Sequence, residues 1–161
     1  MHLYLLAVII FFAFDQVCKY LAGMYLSDIA TYPVIEGVFH LTYSENTGIS
    51  FGMFRGHTLL FGIISAVLSA ALLVFLYRQY KSYPSKKLYL FSLSLIISGA
   101  LGNMYDRLLK GFVIDFFDFR LINFAIFNIA DSAISVGAVI FCAYILFDKE
   151  IFGEKKDVTQ Q

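Results

Sequence analysis

A chain of 161 residues that is 60% apolar and only 15% charged departs from water-soluble domains, where roughly 45–50% and about 25% are usual. So small a domain has too little interior to hide that much apolar surface. A soluble enzyme, a nucleic-acid binder and a disordered chain are therefore excluded as readings, and an integral membrane protein is expected. Twelve Lys and Arg balance twelve Asp and Glu, so no net field points to a polyanionic partner.

The first apolar segment, residues 3–26, carries Asp15 and Lys19. It lacks the positive leading region and the small-x-small cleavage site of a signal peptide, and an acid interrupts its apolar stretch, so it reads as a span. Residues 27–57 follow, too long for a plain connector. Within them Val38–Tyr43 alternates, with Phe39, Leu41 and Tyr43 on one face and Val38, His40 and Thr42 on the other. This predicts a short strand with its apolar face toward the membrane surface. Pro33, Gly37, Gly48 and Gly52 punctuate the segment. Residues 58–77 and 88–105 are free of charge, and each is near the roughly 20 residues that cross a ~30 Å hydrocarbon core. A second outside segment, 106–124, leads to a fourth span over about 125–147, whose apolar run holds Asp131 as its one acid. The expected fold is an all-α membrane protein of four transmembrane helices. It forms one domain over residues 1–153, followed by a disordered cytoplasmic tail at 154–161.

Basic residues set the orientation. Arg78, Lys81, Lys86, Lys87, Lys149, Lys155 and Lys156 fall on one side. Arg55, Arg107, Lys110 and Arg120 are spread over the longer segments of the other. Both termini are thus expected in the cytoplasm. Cys18 and Cys142 are expected at different depths, which argues against a disulfide, and no metal-ligand spacing is present.

Ionisable groups inside a span are costly and are candidate functional residues by default. With a rise of ~1.5 Å per residue, Asp131 lies about 24 Å up from the inner end of its span; Asp15 lies about 18 Å up, Lys19 about 24 Å and Asn103 about 22 Å. Three spans thus bring polar groups to one level in the outer half. Asp15 and Lys19 are four apart, as are Asn103 and Arg107, whereas Asn128 and Asp131 are three apart, spacings that share a helix face. Gly99, Ala100 and Gly102 are small enough to let helices approach closely. Asp15 with Lys19 also reads as a plain membrane ion pair, Asp106 with Arg107 as an interfacial anchor, and Asn103 and Asn128 as interhelical hydrogen-bonding groups. Asp131 has no basic partner in its own helix and resists such a reading.

His2, His40 and His57 lie away from the outer half of any span, and there is no His/Cys cluster or Gly-rich phosphate loop. Carboxylates remain. Two that share a water can hydrolyse a peptide bond, one as base and one as proton donor, because close like charges cannot both ionise. Asp131 is one candidate. Its partner would come from the outside segment, where Asp115 and Asp118 are both available. The alternative from another class is a proton- or ion-coupled carrier with Asp15 or Asp131 as the relay.

At these residues the chain resembles the lipoprotein signal peptidases (signal peptidase II), aspartic proteases of the bacterial inner membrane. Phe14–Tyr20 resembles the family's FDQ-x-x-K-Y element, with Cys18 where Thr is common. Asn46–Phe51 resembles its N-x-G-A-A-F element, with Ile49-Ser50 in place of two alanines. Gly99–Arg107 resembles GAxGNxxDR. Val113–Phe116 and Phe127–Ser132 resemble the two elements that each supply a catalytic aspartate. The resemblance implies a dyad of Asp115 and Asp131, with Asp118 only a neighbour. It implies substrate-binding or supporting roles for Asp15, Lys19, Asn46, Gly48, Asn103, Asp106, Arg107, Asn128 and Ala130. It implies a small β-cradle on the outer surface between the first two helices and a lipidated prolipoprotein as substrate, cut before its diacylglyceryl cysteine. Inhibition by globomycin-type peptides and contact with membrane lipids are implied as well. No cofactor or metal is expected, nor any nucleic-acid partner, and the protein is expected to be a monomer.

Overall fold

The structure, a computed structural model, describes residues 1–48 and 56–148. The 154–161 segment and Ile49-Ser50 lie outside the described residues. Four helices are long and apolar enough to cross a membrane: α1 (His2–Leu26), α2 (Thr58–Ser82), α3 (Lys87–Leu109) and α4 (Ile129–Phe147). The protein is a multi-pass membrane protein. Helices α2 and α3 run past the charge-free windows 58–77 and 88–105. Charge ends an apolar window but does not end a helix: Arg78 and Lys81 continue α2, and Asp106 and Arg107 continue α3. Helix α4 begins at Ile129, later than the expected 125, because Asn128 takes an extended backbone and caps it.

Helix α3 is the central element. Twelve of its residues are buried, against six in α1, four in α2 and three in α4. Three buried serines on it, Ser92, Ser94 and Ser98, donate to the carbonyls of Tyr89, Leu90 and Leu95 of the same helix, so their hydroxyls need no partner across the interface. Tyr4 and Val8 of α1, Leu76 of α2 and Tyr89, Leu90, Leu93 and Ile97 of α3 form one buried cluster. Outward residues such as Leu3, Ile9, Val67, Val139 and Leu146 are exposed apolar surface suited to lipid.

Glycines set the seam between α3 and α4. A Cβ on Gly99 would run into the Ala130 carbonyl oxygen, and one on Gly137 would come within 2.7 Å of the Ser92 carbonyl oxygen. Close backbone approach of this kind is how helices pack where lipid removes the ordinary hydrophobic drive.

Outside the helices lies an antiparallel sheet in the order β1 (Thr31–Ile35), β2 (Phe39–Asn46), β3 (Val113–Asp118). The strand read at residues 38–43 is present as β2, but a register shift between Leu41 and Ser44 breaks its alternation; Leu41 and Tyr43 both pack in the cluster of Ile114 and Phe116 with Ala22 and Leu26 of α1. The third strand comes from the segment between α3 and α4, so two outside segments build the sheet. Its sequence gave little warning, because Val113 to Phe116 are all buried, and burial on both faces erases alternation. Beyond β3, the single turn Arg120–Ile122 leads back to Phe127, which bridges to Phe117.

Candidate active site

The site starts at the end of α4. Asn128 is the N-cap: its Oδ1 accepts the Asp131 amide at 2.9 Å, and Asp131 Oδ2 accepts the Asn128 amide at 3.2 Å. This reciprocal capping box satisfies two amides that a helix start leaves without partners. It corrects the view that Asn128 and Asp131 share a face within a span. Asn128 lies outside the helix, and Asp131 sits in the first turn with its carboxylate at the favourable end of the helix dipole. The other Asp131 oxygen accepts the Asn103 amide nitrogen of α3 at 2.8 Å.

Strand β3 brings Asp115 to the same asparagine. Asn128 Nδ2 donates to Asp115 Oδ1 at 2.7 Å, and Asn46 Nδ2 of β2 donates to Asp115 Oδ2 at 3.0 Å. Asn128 therefore touches both aspartates. Asp115 is 3% exposed. Burial first, and the negative charge of Asp131 second, push its carboxyl up to about 7, against the opposing hydrogen bonds of Asn46 and Asn128.

Beneath the pair lies a buried charge network. Lys19 is fully buried and holds Asp15 at 2.9 Å, Asp106 at 2.8 Å and Asn103 Oδ1 at 2.9 Å. The lysine fixes the orientation of the Asn103 amide, since an ammonium can only donate. With Oδ1 turned to Lys19, Nδ2 must face Asp131. Asp15 Oδ1 accepts the Ala130 amide at 2.8 Å, which ties α1 to the first turn of α4. Arg107 forms the outer wall, donating to the Gly48 carbonyl at 3.2 Å, and Gly48 in turn donates to Asn46 Oδ1 at 3.0 Å.

All eleven residues singled out in the sequence thus fall into one connected network. Asp118 stands apart, accepting from Thr42 at 2.7 Å and from Arg120 at 2.9 Å. Burial works to raise its carboxyl. The Arg120 and Thr42 hydrogen bonds, with the charges of Arg120 and His40, outweigh burial and hold it below the ordinary range. Two contributors were missed. Gln16 donates to Asp15 Oδ2 at 3.1 Å and to the Gly102 carbonyl at 3.3 Å. Lys110 pairs with Asp106 at 2.7 Å. The second was legible as an i,i+4 acid–base pair; the first stands beside Asp15 in the FDQ element but carried no spacing signal. Cys18 and Cys142 are free thiols.

A pair of carboxyls held by shared amides, one of them titrating near neutrality, can activate water against a peptide carbonyl. Comparison with known proteins points the same way. Residues 7–147 match the family described as Signal peptidase (SPase) II. A lipoprotein signal peptidase of Caldanaerobacter subterraneus subsp. tengcongensis is 46% identical over 133 residues, 83% of this chain and 88% of its own length. One from Clostridioides difficile is 41% identical over 148 residues, 90% and 95% of the two chains. A bacterial membrane enzyme solved by the in meso method superposes with a TM-score of 0.78 at 30% identity, over 97% of this chain and 94% of that one.

Proposed function

This chain belongs to the signal peptidase II family, an aspartic protease family, and we propose from that premise that it removes the signal peptide from lipidated prolipoproteins. The scissile bond lies just before the diacylglyceryl cysteine, at the outer face of the bacterial inner membrane, with both termini in the cytoplasm. The enzyme is a single four-helix domain over residues 1–153, works as a monomer among membrane lipids, and is open to block by globomycin-type peptides. The observation that carries this reading is Asn128, whose side chain and backbone hold Asp115 and Asp131 together.

The pair shares one proton, which rests on Asp115. A water between the carboxyls gives a proton to Asp131 as its oxygen attacks the peptide carbonyl. Asp115 passes its proton to the carbonyl oxygen, giving a neutral gem-diol. As the gem-diol collapses, the C–N bond breaks, the leaving nitrogen takes the proton from Asp131, and a diol hydroxyl returns one to Asp115. Asn46, Asn103 and Asn128 aim amide N–H groups at the two carboxyls throughout. Lys19 places a buried positive charge below them.

Asn nearly matches Asp in shape but can neither accept the water proton as a base nor return a carboxyl proton. Asp115→Asn and Asp131→Asn are each expected to abolish release of the signal peptide from a purified lipidated prolipoprotein. The double variant is expected to be no worse than either, because the two act as a unit. Robust cleavage by Asp131→Asn would remove the aspartic reading and favour the carrier alternative.

A further inference from the structure

Asp115 works only if β3 holds one register against β2. That register is irregular: His40 pairs with Asp118 and Leu41 with Phe117, but the next pair is Ser44 with Asp115. Between Leu41 and Ser44 the β2 strand advances three residues while β3 advances two. This bulge contains Thr42 and Tyr43. A one-residue slip would turn every β3 side chain to the other face. It would carry Asp115 away from Asn46 and Asn128.

A second polar cluster grips the bulge. The Thr42 hydroxyl donates to Asp118 Oδ2 at 2.7 Å, and Arg120 Nε donates to the same oxygen at 2.9 Å. The Arg120 NH2 group reaches Thr31 Oγ1 of β1 at 3.0 Å, and the Thr31 and Thr42 hydroxyls lie 2.9 Å apart. His40, opposite Asp118, lies with its ring nitrogens 3.3 Å from Thr31 Oγ1 and 3.3 Å from the Gly37 amide that donates to it. One carboxylate oxygen thus joins the bulge in β2 to the chain beyond β3, and through Arg120 to β1. Asp118 is 8% exposed, which shelters its bond to Thr42 from water, while the Arg120 side chain on the other side of the same oxygen is 41% exposed.

We propose that Asp118 is a positioning residue that locks the β2 bulge and so sets the phase of β3, placing Asp115 against Asn46 and Asn128. The proposal rests on the dyad reading. Asp118 itself exchanges no proton with substrate. Both bonds fall on a single oxygen, so Asn can keep them and Ala cannot.

The test uses full-length protein and a lipidated prolipoprotein. Asp118→Ala is expected to lower kcat by roughly a hundredfold, the scale of a ~1 Å misplacement of a reacting group, with KM within about threefold, as expected when ground-state binding is kept. Asp118→Asn is expected to stay within about threefold of the parent in kcat. A His40→Cys/Asp118→Cys pair, in a Cys18→Ser/Cys142→Ser background, joins the same two paired positions covalently. Oxidation is expected to restore kcat and reduction to remove it. This pair also decides the matter should Asp118→Ala fail to fold. Parental kcat in Asp118→Ala beside an inactive Asp115→Asn would overturn the positioning role alone. So would an oxidised pair no faster than the reduced one. An active Asp115→Asn would instead overturn the dyad.

Discussion

Burial first, and the charge of Asp131 second, disfavour the charged form of Asp115 and push its carboxyl up to about 7. The unfolded value is ordinary, about 4. A raised carboxyl favours the folded state fully below that ordinary value, and the contribution is lost as pH rises through about 7. In the proposed dyad the shared proton leaves as pH rises through about 7. Turnover is therefore expected to fall as pH rises through about 7. A pH–rate profile checks this, and a rate still flat well above that point would contradict it. Lys19 provides the second prediction at this scale. Lys19→Met would leave Asp15 and Asp106 buried with their shared cation gone. Breaking a buried ion pair from one side costs about 3–5 kcal/mol, which chemical unfolding in detergent would register. Asp15–Lys19 was legible as an i,i+4 pair, but the sequence did not reveal that Lys19 also reaches Asp106 and Asn103. Those contacts join residues more than eighty positions apart, and helical periodicity orders only near neighbours.

The helices were legible as elements, their ends less so. Apolar windows located all four, yet they placed the start of α4 early, since nothing in hydropathy separates an apolar turn from an apolar helix. The capping signal was present in Asn128 and Asp131, an N-cap residue followed three positions later by an acid. The sheet was half legible: alternation revealed β2, while β3 was hidden by burial on both faces. The α3–α4 seam gives a prediction at this scale. Gly99→Ala would press a Cβ on the Ala130 carbonyl oxygen, a backbone atom with little freedom to yield. Overpacking of this kind costs typically 1–3 kcal/mol. It would also strain the Ala130 amide bond to Asp15. Lower thermal stability together with slower cleavage is expected, and a variant unchanged in both would show that the seam can relax.

At the scale of the whole molecule, the charge pattern and the fold support the proposed orientation. Lys81 and Lys86 flank the α2–α3 connection, and Lys86 pairs with Asp148 at the far end of α4 at 2.6 Å. The sheet and the dyad lie at the opposite end of the bundle. A cysteine replacing Ser82 is expected to react with an impermeant thiol reagent only from the cytoplasm, and one replacing Thr31 only from outside. The reverse pattern would invert the topology and remove the substrate from reach of the dyad.

The reciprocal pair at the start of α4 has a consequence for biogenesis. The hydrogen bonds that close the first turn of α4 also orient Asp131 and the asparagine that grips Asp115. A nascent chain whose last helix has not yet seated beside α3 has no assembled pair and cannot hydrolyse its neighbours. On the proposed dyad, the protease is expected to be silent during its own insertion and to become competent on completing its fold, with the end of one helix acting as the latch.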